Sequence, residues 1–76
     1  MPPLQAIAEA VRLTRKAQSL RQDQLAAAAG VGVRFIVDLE AGKATAQLGK
    51  TLAVLETLGL NVSLTPRGDY PSADPP

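Results

Sequence analysis

"RQDQLAAAAGVGVRFIVDLEAGK", residues 21–43, is the stretch whose reading decides the fold. Leu25 begins an apolar stripe that runs on into Ala26–Ala29, and Gly30 stands where a left-handed residue stops a helix. The spacing predicts a short helix from about Gln22 to Ala29, whose small side chains let another helix approach closely. That other helix is predicted from Val33 to about Glu40. Phe35, Ile36 and Leu39 lie on its inward side, Val33, Arg34, Val37 and Asp38 face outward, and Gly42 ends it. Arg21 is out of place, because Ser, Thr, Asp or Asn is expected to cap a helix there.

Working outward, "MPPLQAIAEAVRLTRKA" (1–17) reads as a preceding helix behind a Pro-Pro start, where proline is tolerated. Leu4, Ile7, Ala8 and Val11 share one face, and Arg15 and Lys16 suit the negative end of the helix dipole. Downstream, a fourth helix is predicted from roughly Gln47 to Leu58, burying Leu48, Leu52, Leu55 and Leu58, with Gly59 as its stop. The period then changes. "LNVSLT" (60–65) alternates apolar Leu60, Val62 and Leu64 with polar residues, which is strand spacing. A solitary strand must satisfy its backbone groups elsewhere, so pairing with its own copy across a twofold axis is expected. An extended segment folded back onto the helices is the alternative. From Pro66 the chain is rich in proline, small residues and acids, and it is expected to be a flexible tail over 66–76 behind one domain over 1–65. Its Arg-Gly-Asp triplet reads as chance, and Tyr70 reads either as an idle tail residue or as an anchor for a partner's groove.

Seventy-six residues lie near the lower limit for folding without a staple, which again favours a homodimer. With no Cys and no His, disulfides, thiolate metal sites and the commonest general base are excluded, so no metal, cofactor or catalytic set is expected. No stretch is long or apolar enough for a membrane span and no signal-peptide pattern opens the chain, so the expected address is the cytoplasm. Eight basic against seven acidic residues leave a net charge of +1. Any case for nucleic acid therefore rests on where the charges point.

Helix, turn, helix with small residues at the crossing is the arrangement of a helix-turn-helix motif. Gln22, Leu25-Ala26, Gly30-Val31, Ile36, Leu39-Glu40 and Gly42-Lys43 resemble that motif in Xre/Cro-type phage-repressor regulators, over roughly residues 4–60. "GVGVRFIVDLEAGKATAQLGKTLAVLETLGLNVSL" (30–64) is similar more narrowly to HipB-type antitoxins, which add a C-terminal strand for dimerisation. The resemblance implies an all-α fold of four to five helices with a short β-strand paired across a dimer through Leu60, Val62 and Leu64. It also implies a repressor of its own operon that binds a palindromic double-stranded operator and neutralises a HipA-like Ser/Thr kinase toxin.

The resemblance places Gln22 on the DNA backbone, where a helix start attracts phosphate. Arg34 is the candidate base reader, since arginine pairs in bidentate fashion with guanine, worth roughly 1–3 kcal/mol of discrimination. A phosphate contact is its plainer role. Val33 and Val37 suit thymine methyls. Asp38 either accepts from a cytosine amine or orients Arg34 four residues away. Gly32 departs from the Ser or Thr commoner at that cap, which removes one phosphate contact. Lys43, Gln47 and Arg21 are placed to touch phosphate, whereas Lys50 reads as solvated. In the family the Glu of Leu-Glu-x-Gly-Lys pairs with an Arg near the end of the first helix, which implies an Arg15–Glu40 bridge. Two other readings remain open: a stand-alone Xre-family repressor, and a protein–protein adaptor that keeps the helix-turn-helix core without binding DNA. An enzyme is not expected.

Overall fold

The computed structural model describes residues 3–43, 47–64 and 66. Four helices follow one another: α1 (Pro3–Ala17), α2 (Gln22–Ala29), α3 (Val33–Glu40) and α4 (Leu48–Thr57). The fold is all-α, as expected. α2 lies at the centre of the packing, against both α3 and α4, while α1 packs on α3. The alanine run serves that centre unequally. Ala26 is buried and Ala29 half-buried, whereas Ala27 and Ala28 face out.

Leu25, Ile36, Leu39, Val11 and Val54 are wholly buried, and Ala26, Leu55 and Leu58 complete the core. These residues come from all four helices, so no helix buries its stripe alone. Full burial of such a side chain is worth roughly 1.5–3 kcal/mol, which makes this cluster the main source of stability.

All four helices end in the same way. The residue after each last turn is left-handed: Gly30, Gly42 and Gly59 with φ of 73°, 75° and 77°, and Ser19 with φ of 58°. In each case the next N–H reaches back five residues, as with Leu20 N to Arg15 O at 3.1 Å and Lys43 N to Asp38 O at 3.1 Å. Carbonyls that the helix leaves unpaired are thereby satisfied. Only at Ser19 does a side chain occupy the left-handed region, which costs a non-glycine residue of order 1 kcal/mol.

One expectation needs correction. α4 does not bury Leu48 and Leu52, which are 72% and 43% exposed. Its inward face is Thr51, Val54, Leu55 and Leu58, a register that skips the first two leucines. Thr51 tolerates burial because its hydroxyl donates to Gln47 O at 2.9 Å. Within the single chain, residues 60–64 form no strand among the described residues. Leu60 leans on the core, and its N–H donates to Leu55 O at 2.8 Å, while Asn61–Leu64 are exposed. Thr65 and the stretch 67–76, including Tyr70, lie outside the described residues. Among the described residues no helix is long and apolar enough to cross a membrane.

Candidate nucleic-acid interface

α3 is eight residues long and begins without a side-chain cap, since Gly32 is the cap residue and contributes only backbone. Val33 and Arg34, in its first turn, are exposed, while Val37 and Asp38 are half-buried. Arg34 Nε lies 3.3 Å from Asp38 Oδ1, the i, i+4 contact that orients a guanidinium along a helix face. Lys43 Nζ approaches the same oxygen at 3.4 Å. Asp38 Oδ1 is shielded from solvent and lies within ion-pair distance of both cations, yet neither contact has hydrogen-bond geometry. Three of the predicted site residues are thus brought into one cluster. The left-handed turn at Gly42 is what returns Lys43 toward α3.

A second cluster sits where α1, α2 and α3 meet. Arg15 donates from Nε to Glu40 Oε2 at 2.6 Å and from Nη2 to Oε1 at 2.9 Å, a bidentate pair. Its Nη1 donates to Leu20 O at 2.8 Å. The Arg15 and Glu40 side chains are only 11% and 6% exposed. The hydrogen bonds it donates to Glu40 raise the arginine's pKa against the opposing effect of burial, and the glutamate's charge adds to the rise. Gln22 Nε2 donates to Glu40 Oε1 at 3.2 Å. An amide nitrogen carries two N–H donors, so this bond leaves Gln22 a second one for a phosphate oxygen.

Arg21 caps α2 by backbone alone: its N–H donates to Gln24 Oε1 at 2.8 Å. A guanidinium has no acceptor, so arginine cannot return the usual cap bond. Its Nε instead donates to Asp23 Oδ1 at 3.1 Å on an open surface, and that bond lowers the Asp23 carboxyl below its usual range. Gln47 caps α4 through its carbonyl, which accepts from Thr51 N at 2.9 Å, and its side chain is exposed. Arg21 and Gln47 therefore stand at two helix starts, apart from the Arg34–Asp38–Lys43 cluster.

Sequence reasoning missed three contacts. Gln18 Nε2 donates to Leu58 O at 2.9 Å and ties the end of α1 to the end of α4. Lys50 Nζ stands 5.9 Å from the centre of the Phe35 ring, a cation–π distance, so it does more than hang in solvent. Asp23 partly neutralises Arg21. Of these only the last left a signal, an acid in the first turn of a helix two residues from an arginine.

Comparison with known proteins now bears on this arrangement. A family model described as helix-turn-helix matches residues 11–64. The uncharacterized HTH-type transcriptional regulator y4mF of Sinorhizobium fredii is 63% identical over 59 residues, which make up 78% of this chain and 78% of that protein. Among solved structures, a chain of a HipA-HipB-O2-O3 complex superposes with a TM-score of 0.78 at 22% identity, covering 90% of this chain and 96% of its own. A chain described as MDT Protein gives the same figures. At that identity the likeness is one of fold. With a family match across most of its length, laid over the α2–turn–α3 arrangement, the chain belongs to the Xre-like helix-turn-helix family of DNA-binding transcriptional regulators.

Proposed function

We propose that this regulator is a homodimeric, sequence-specific repressor and the antitoxin of a kinase-toxin operon. The observation that carries the DNA-binding part is the cluster on α3, where an exposed arginine and a lysine stand side by side about one carboxylate. Arg34 reads a base in the major groove, with Val33 and Val37 on thymine methyls. Gln22, Arg21, Lys43 and Gln47 contact phosphate, and Gly32 lets the backbone of α3 come close. Repression follows by occlusion of a promoter.

Dimerisation is supported by the surface beside α1 and α4. A groove of about 390 Å³ is lined by Ala6, Ile7 and Ala10 of α1, Leu55 of α4, and Leu60–Leu64. Val62 and Leu64 expose apolar surface next to it. A second copy that pairs its own 60–64 segment here would cover that surface and satisfy the backbone groups of both segments. Two copies also place two α3 helices on half-sites about one turn, ~34 Å, apart. The antitoxin part rests on the resemblance to HipB-type antitoxins and on the fold shared with a chain from a HipA-HipB-O2-O3 complex. The toxin would bind away from the groove-facing side, so that both partners occupy DNA together.

The test has two arms. Two or three cations per protomer on phosphate predict a slope of log affinity against log salt of about −4 to −5 for the dimer on its preferred duplex. An adaptor with no DNA role shows no duplex binding at any salt. Substituting Val62→Asp should leave a folded monomer by sedimentation and weaken duplex binding by about a hundredfold, as half the contacts are lost. A variant that stays dimeric counts against the pairing segment. For the antitoxin arm, co-expression with any HipA-like kinase encoded beside it should restore growth and yield a stable complex. A chain that binds its duplex but no such kinase is a stand-alone repressor.

A further inference from the structure

The Asp38 carboxylate is costly where it stands. It occupies the last turn of α3, the negative end of the helix dipole, and it points into a surface meant for a polyanion. It contributes nothing to the core. Yet its Oδ1 is withdrawn from solvent between Arg34 Nε and Lys43 Nζ, while the two cationic side chains reach outward. Each pair alone is weak in solvent, but one carboxylate within reach of two cations biases where both of them stand. With Nε turned toward Asp38, the two terminal nitrogens of Arg34 remain as a forward-facing pair of donors.

We propose that Asp38 is a positioning residue that gathers Arg34 and Lys43 on α3 and cancels one of their charges, so that binding to duplex depends on base sequence more than on phosphate attraction. The inference rests on the DNA-binding reading above and deepens it. Without the carboxylate, Arg34 swings freely and pairs with whichever phosphate is nearest, and Lys43 adds a full charge to the same surface. Affinity for duplex of mixed sequence then rises while preference among duplexes falls. A carboxylate that itself reads a cytosine amine has the opposite signature, because its loss weakens the preferred duplex alone.

The experiment compares the parent dimer with D38N and D38E on two probes, the duplex that the parent enriches from a randomised pool and a mixed-sequence duplex of equal length. D38N should bind the mixed duplex about fivefold more tightly, lower the ratio of preferred to mixed affinity about tenfold, and steepen the salt slope by about 0.9 for each cation released. D38E, which keeps the charge, should return the mixed-duplex affinity toward the parent's. Melting curves of both variants check that the fold is unchanged. If D38N loses affinity only for the preferred duplex, or leaves both affinities and the slope unmoved, the positioning role is overturned while the DNA-binding reading stands. If the parent enriches no duplex and shows no salt-dependent binding, both fall together.

Discussion

Two arginine–carboxylate pairs in this small chain are opposites in every physical respect. Arg15 and Glu40 are nearly shut off from water and meet through two short hydrogen bonds, with Gln22 and the Leu20 carbonyl filling the remaining positions. Arg34 and Asp38 are 77% and 28% exposed, and they meet at 3.3 Å without hydrogen-bond geometry. A buried pair has no water to fall back on if one partner leaves, so it fixes where α1, α2 and α3 stand relative to one another. An open pair loses little when it parts, so its arginine is available to a ligand. The same two chemical groups serve as a joint in one place and, in the proposed function, as a reader in the other. Burial makes the difference.

Breaking the joint should have the largest effect. Glu40→Ala strands the Arg15 guanidinium and the Gln22 amide in a dry site, at a cost of about 3 kcal/mol, or about 15 °C in Tm for a domain of this size, read by thermal unfolding. Breaking the reader should leave the melt alone. Arg34→Ala is expected to weaken the preferred duplex about tenfold to a hundredfold and the mixed duplex far less, measured by parallel titrations. A thermal loss as large as that of Glu40→Ala would mean the exposed pair is structural after all. Gln22→Ala sharpens the contrast, because Gln22 touches the joint and is proposed to contact phosphate as well. It should cost about 1 kcal/mol of stability and a few-fold in affinity for both duplexes alike, with no change in preference. The smallest effect belongs to Asp23. Its folded carboxyl is held below the usual value of 3.8 by Arg21, so the pair's contribution is present above that value and fades as the pH falls through the lower folded one. A pH series of melts should show a slight extra loss only at that acid edge, absent in Asp23→Asn.

Much of the fold was legible because its signals are local. The bounds of α2 and α3 follow from apolar spacing and from Gly30 and Gly42, and the structure places both helices as read. The face of α4 was misread for a reason that spacing cannot reveal. Thr51 counts as polar by composition, but a bond to the carbonyl one turn back lets it lie inside, and that choice rotates Leu48 and Leu52 outward. The candidate site was legible one residue at a time but not as a cluster. That Arg34 and Asp38 are neighbours follows from helical spacing. That Lys43 joins them depends on a chain reversal whose geometry, and not its sequence distance, decides the contact. The 60–64 segment shows the limit of reading one chain: its alternation is plain, but no strand lies beside it among the described residues.

The shared left-handed ending of all four helices has a kinetic consequence. Each helix carries its own stop, made from bonds among half a dozen consecutive residues, so where it ends depends on no distant contact. The helices are separated by short turns wherever the chain is described. Chains dominated by such near-neighbour contacts fold in roughly microseconds to milliseconds. A freshly made copy should therefore present its exposed apolar segment to a second copy almost as soon as it leaves the ribosome.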